Sequence, residues 1–154
     1  MNSIVLNKVY KFDLTGSFSF GNIPIAKLAE LFQNGSTVSS PMEEQLVHWF
    51  PELTRVYGCD DHDHVDTTGV KYDAKNFTKY GLKFMPSNQM GTGRKFNESV
   101  AHKKAKELIY ICCDVVDFPI IRVKFAKGSE MIKDYPKCKI TKKKREEFFN
   151  DKSC

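Results

Sequence analysis

Apolar residues recur at positions 25, 28, 29, 31 and 32 of "NIPIAKLAELFQNG" (22–35), a spacing that predicts a short amphipathic helix stopped by Asn34-Gly35. A second helix is expected in "SSPMEEQLVHWF" (39–50), with Ser40 as N-cap, Pro41 in the first turn and Glu43 closing a capping box. The period then shortens. Residues 60–66 and 70–77 read as two strands around "TTG", a hairpin. The polar, Gly-rich stretch 79–97 predicts a loop or short irregular strands. In "NESVAHKKAKELI" (97–109), Asn97 is the N-cap of a helix whose apolar face holds Val100, Ala101, Ala105 and Leu108. "LIYICCDVV" (108–116) is a nearly continuous apolar run, hence a buried strand, and "PIIRVKFAKG" (119–128) alternates enough to be its partner. Helix and strand patterns in this order imply an α/β fold, a central mixed β-sheet flanked by helices.

Composition changes little in that picture. The chain has 154 residues, 41% hydrophobic and 28% charged, as one globular domain would. At this size a domain does not depend on disulfides or metal for stability, so a metal would be functional. The five cysteines, Cys59, Cys112, Cys113, Cys138 and Cys154, are odd in number and read as reduced thiols. With no long apolar run and no signal-like N-terminus, a cytoplasmic protein of bacterial or phage origin is expected. Charge adds more. The net charge is +5, with Lys and Arg gathered at 94–106 and 137–145 and carboxylates at 60–73, so a polyanion is a plausible partner.

The chemistry concentrates in "DHDHVDTTGVKYDAK" (61–75). A hairpin turning at about residue 68 pairs positions whose numbers sum to about 136, which sets Asp63 opposite Asp73 on one face. Lys75 shares that face, and His62, His64 and Asp66 project from the other. Opposed carboxylates about 5 Å apart repel unless a cation lies between them. Mg²⁺ suits such a pair, since it takes oxygen ligands and leaves positions open to phosphate. A lysine beside it can orient or deprotonate a water, or stabilise charge on a phosphate. A zinc site on His62 and His64, with Cys59 and Asp66 nearby, lacks a second Cys/His pair at finger-like spacing. Glu43 is explained by its cap, with a place in the metal shell as the alternative.

The run Asp63-His-Val-Asp66-x-x-Gly69-x-x-Tyr72-Asp73-Ala-Lys75 resembles the active-site hairpin of the PD-(D/E)xK nucleases, and among them the PvuII-type restriction endonucleases. "TGRKFN", the lysine-bearing helix, "IYICCDV" and "KDYPKCKIT" look like the recognition stretch, helix, strand and second recognition segment of the same enzymes, so the resemblance spans 60–142 with gaps. It implies a restriction-endonuclease-like fold. It further implies Mg²⁺ held by Asp63, Asp73 and the backbone carbonyl of Ala74, with Mn²⁺ able to substitute, and Lys75 as catalytic lysine. Two departures stand out: residue 73 is Asp where those enzymes have Glu, and Gly93-Arg94-Lys95 and Asp134-Tyr135 replace their histidines and asparagines. The catalytic expectation therefore transfers, and the recognition sequence does not.

Arg94 could read guanine bidentately and Asp134 accept from cytosine N4, with Lys95 and Tyr135 beside them in the DNA-binding set. Phosphate contact is the alternative for Arg94 and Lys95, and phosphate contact or solvation for Lys103, Lys104 and Lys106. The expected function is a Mg²⁺-dependent type II restriction endonuclease acting on double-stranded DNA as a homodimer, since a two-fold symmetric target calls for two centres. Its parts would be a helical region 1–55 that dimerises, a catalytic and recognition core 56–142, and a charged tail 143–154. The alternatives are a structure-selective nuclease, of Holliday-junction resolvase or repair type, and a non-catalytic DNA-binding protein.

Overall fold

The computed structural model describes residues 2–58 and 61–151; Cys59, Asp60 and Cys154, named above, lie outside them. Among the described residues eight strands form: β1 Val9–Asp13, β2 Thr54–Arg55, β3 His64–Val65, β4 Lys71–Phe77, β5 Leu82–Lys83, β6 Ile109–Asp114, β7 Ile120–Lys127 and β8 Lys139–Ile140. Six of them make a sheet in the order β1-β7-β6-β4-β3-β2, and β5 pairs with β8 separately. The helices are α1 Ile25–Phe32, α2 Gly35–Trp49, α3 Glu98–Ala105, α4 Gly128–Asp134 and α5 Arg145–Phe148. Within the large sheet only β4 and β6 run parallel, joined by the crossover through α3. The neighbouring pairs are antiparallel, so the sheet is mixed and the fold α/β.

Alternation along the central strands builds a core on each face. Ile111 and Cys113 of β6 join Tyr72, Phe125 and the Val38, Met42 and Leu46 stripe of α2. Tyr110 and Cys112 face the other way, onto Phe77, Ala101, Ala105, Met131 and Ile132. Each fully buried large side chain of these clusters contributes roughly 1.5–3 kcal/mol. Gly128 lets α4 pack close to α3: a Cβ there would collide with the Ala105 carbonyl. Cys112, Cys113 and Cys138 are free thiols, all buried.

Several expectations are corrected. Residues 1–55 are not wholly helical, because Val9–Asp13 forms the edge strand β1 on β7 with Tyr10 buried beneath it. Helix α2 starts five residues before Ser40. Asn34, read as a stop signal, instead accepts from the Ser36 N–H and caps it, so Ser40 is helical and Glu43 closes no capping box. Pro41 is tolerated inside the helix because the carbonyl it leaves unbonded, that of Thr37, belongs to an exposed residue within reach of water. Replacing Asn34 with Ala should cost about 1 kcal/mol in urea denaturation. Helix α3 is capped by Asn97 as expected but ends at Ala105, and Val100 is 49% exposed rather than part of the apolar face. The expected charged tail at 143–154 is anchored in its described part: Phe148 and Phe149 are buried, and the Arg145 guanidinium donates to the buried Asp114 carboxylate at 3.0 Å. Two adjacent Phe within a charged stretch are the sequence signal for that anchor.

Candidate active site

The hairpin forms in the expected register. His64 pairs with Tyr72 and Val65 with Lys71, both summing to 136, and Asp66 and Val70 close a three-residue loop in which Gly69 takes φ +90°. The ladder ends at His64, one position before the acid pair. There the Asp63 N–H donates to the Tyr72 carbonyl at 2.9 Å, and the Asp63 carboxylate accepts from the Ala74 N–H at 2.9 Å. The side chain thereby replaces the missing strand bond and is held over β4.

Asp73 and Lys75 project from the face of β4 that carries Phe77, beside their parallel-strand neighbours Tyr110 and Cys112. Their side chains are 14% and 18% exposed and form an ion pair at 3.1 Å. Burial pushes the Asp73 carboxyl up to about 6; Lys75 opposes this, and hydrogen bonding with and repulsion from the Asp63 carboxylate reinforce it. Asp63, Asp73, the Ala74 backbone and Lys75 are thus brought together. Burial is the larger cause of the rise and the neighbouring Asp63 carboxylate the smaller.

The donor set is oxygen-rich and small. Among the described residues no three His, Cys, Asp or Glu side chains converge on one point. Glu43 is turned to other partners, accepting from the Ser39 hydroxyl at 3.0 Å and lying 4.0 Å from the Arg55 guanidinium.

The two histidines have other contacts in the fold. His62 lies 3.4 Å from the Asp61 carboxylate. His64 is fully buried on the α2 side and donates from Nε2 to the Glu43 carbonyl at 2.8 Å, so it ties α2 to the strand next to Asp63. Its Nδ1 is buried without a hydrogen bond. Burial holds the His64 pKa below its ordinary value, with the Glu43 carbonyl acting the other way. The folded imidazole therefore binds its proton less readily than the unfolded one, and this contribution to stability is lost as pH falls below about 6.5. His64→Asn should remove that acid sensitivity, measured as unfolding free energy between pH 7.5 and 5.5. The sequence hinted at this strut only through a histidine on the core-facing side of a strand.

The proposed DNA contacts fall into two places. Arg94 donates to the Ser87 carbonyl at 2.9 Å and lines a cavity of about 460 Å³ with Asp61 and Lys104. Lys95 and Lys103 are exposed nearby in sequence. Asp134 and Tyr135 line a different and larger cavity, about 550 Å³, with Lys124 and Lys144. The two segments are linked through α3, where His102 Nε2 donates to the Pro136 carbonyl at 2.7 Å. Asp63, Asp73 and Lys75 line neither cavity.

No helix among the described residues is long and apolar enough to cross a membrane. Comparison with protein-family models, with curated proteins and with solved structures returns no match to this chain.

Proposed function

We propose that the protein is a Mg²⁺-dependent endonuclease of the PD-(D/E)xK kind that hydrolyses phosphodiester bonds of double-stranded DNA at a short sequence, as a type II restriction enzyme does. The single observation that carries this reading is geometric: Asp63, fixed by the Ala74 N–H at 2.9 Å, and Asp73, paired with Lys75 at 3.1 Å, meet at one place on β4. In it, Asp63, Asp73 and the Ala74 carbonyl hold the cation. Bound there, Mg²⁺ supplies Lewis-acid stabilisation of charge on the phosphate and lowers the pKa of water. Lys75 keeps its ammonium on the same face, where it orients the attacking water or neutralises charge on the phosphoryl oxygens. The Ala74 N–H fixes the Asp63 carboxylate, so the site is organised before substrate arrives.

Duplex DNA is the substrate class that the basic segments at 94–106 and 137–145 support, with Arg94, Lys95, Lys103 and Lys104 on one approach and Asp134 and Tyr135 on the other. Cleavage of both strands calls for two copies of the chain, with 1–55 as the region we assign to the contact.

Digestion of supercoiled plasmid with Mg²⁺ tests the reading. Discrete linear fragments with one sequence at their ends are expected. Cutting confined to branched or damaged DNA would select a structure-selective nuclease instead. Uncut DNA with Mg²⁺ and with Mn²⁺, alongside tight salt-sensitive binding, would select a non-catalytic DNA-binding protein.

A further inference from the structure

Strand β3 is two residues long and meets β4 in two paired positions, a short ladder on which to fix the register of two mutually repelling acids. A slip of one residue would carry Asp63 to the opposite face. Something besides the ladder holds it. The Asp66 carboxylate spans the gap: Oδ1 accepts from the Thr68 N–H at 2.9 Å, the Thr68 hydroxyl at 2.7 Å and the Val70 N–H at 3.0 Å, which builds the turn. Its Oδ2 accepts from the Tyr72 hydroxyl at 2.8 Å. Tyr72 is 3% exposed, with its ring edge-on to Phe125 in the core, so the hydroxyl is a fixed point rather than a mobile one. Tyr72 is also the residue before Asp73 and the ladder partner of His64, which follows Asp63.

We propose that Asp66 and Tyr72 form a positioning pair that sets the separation of the Asp63 and Asp73 carboxylates and, through it, the affinity of that pair for a divalent cation. The inference rests on the reading of the carboxylate pair as a cation site. One carboxylate oxygen shapes the turn, and the other ties it to a side chain anchored in the core. The hairpin is thereby clamped against the repulsion between Asp63 and Asp73 before any cation arrives. The Tyr72 side chain leaves the strand on the face opposite Asp73, so it touches neither cation nor phosphate and acts only through the placement of its neighbours. Supporting contacts of this kind typically alter metal affinity about 10- to 100-fold when removed.

The test is calorimetric titration of Mn²⁺ into the full chain at pH 7.5, well below the melting temperature, for the unaltered protein, Tyr72→Phe, Asp66→Ala and Asp66→Asn. Tyr72→Phe keeps the buried ring and loses only the hydroxyl, and should bind Mn²⁺ about tenfold more weakly. Asp66→Ala should lose at least as much. Asp66→Asn keeps an oxygen for the turn and an amide that can pair with the Tyr72 hydroxyl, so it should recover most of the affinity. A lowered melting temperature of Tyr72→Phe with unchanged Mn²⁺ affinity would overturn the positioning role and leave the pair purely structural. No Mn²⁺ binding by the unaltered protein would instead remove the cation site, and the positioning role with it.

Discussion

Replacing Asp73 with Asn should raise the unfolding free energy at pH 7.5, by up to about 3 kcal/mol, while abolishing stabilisation by Mg²⁺. The folded carboxyl sits at about 6 against an ordinary 3.8. A difference of roughly two units corresponds to about 3 kcal/mol. Its sign follows from proton binding: between pH 4 and 6 the folded state holds the proton more tightly than the unfolded chain, so stability falls as pH rises through that window. Above it the deficit is constant, and Asn, uncharged and isosteric, avoids it. Loss of the 3.1 Å pair to Lys75 offsets part of the gain. A cation that binds only the folded protein adds about 2.7 kcal/mol at one hundred times its Kd, and the Asn variant should lose that increment. Urea denaturation at pH 4.5 and 7.5, with and without Mg²⁺, measures both effects. The variant should also become more acid-sensitive below pH 6.5, because His64, whose contribution runs in the opposite direction, is then no longer masked.

Removing the lysine should have the largest catalytic effect. Lys75→Ala is expected to lower DNA hydrolysis by about 10³-fold or more, the range for a positioned proton-transfer group or charge stabiliser. Salt-dependent DNA binding should stay nearly unchanged, because one ammonium that is 18% exposed adds little to a contact made by many lysines. Single-turnover cleavage and filter binding under the same conditions separate the two. Equal losses in both would make Lys75 a phosphate contact and remove it from the chemistry. Retained cleavage would remove it from the site altogether.

The carboxylate pair was legible because period-two alternation and a Gly-containing turn are local rules: three positions fixed the register, and the register fixed which acids met. The central β6 and β7 pair was legible for the same reason, from one continuous apolar run and its neighbour. What escaped depended on distant partners. Asn34-Gly35 carries both a stop signal and a cap signal, and only packing of Val38, Met42 and Leu46 on the sheet decides for the cap. β1 is a five-residue edge strand whose pattern is weak without β7 beside it. The clamp by Asp66 and Tyr72 and the strut from His64 to Glu43 lay within the stretch that attracted attention for its acids and histidines, yet their roles come from hydrogen bonds that spacing alone does not specify. Glu43 illustrates a further case: its helix was expected, but the start was misplaced by five residues, and with it the capping role.

The central claim is that Asp63 and Asp73 hold a hard divalent cation beside Lys75. Anomalous scattering from a crystal of the protein soaked in Mn²⁺ tests it most directly. The account predicts a peak about 2.1 Å from oxygens of both carboxylates and in reach of the Ala74 carbonyl. A peak held by His62 or His64 instead, or a fully occupied Mn²⁺ elsewhere with none between the two carboxylates, would contradict it.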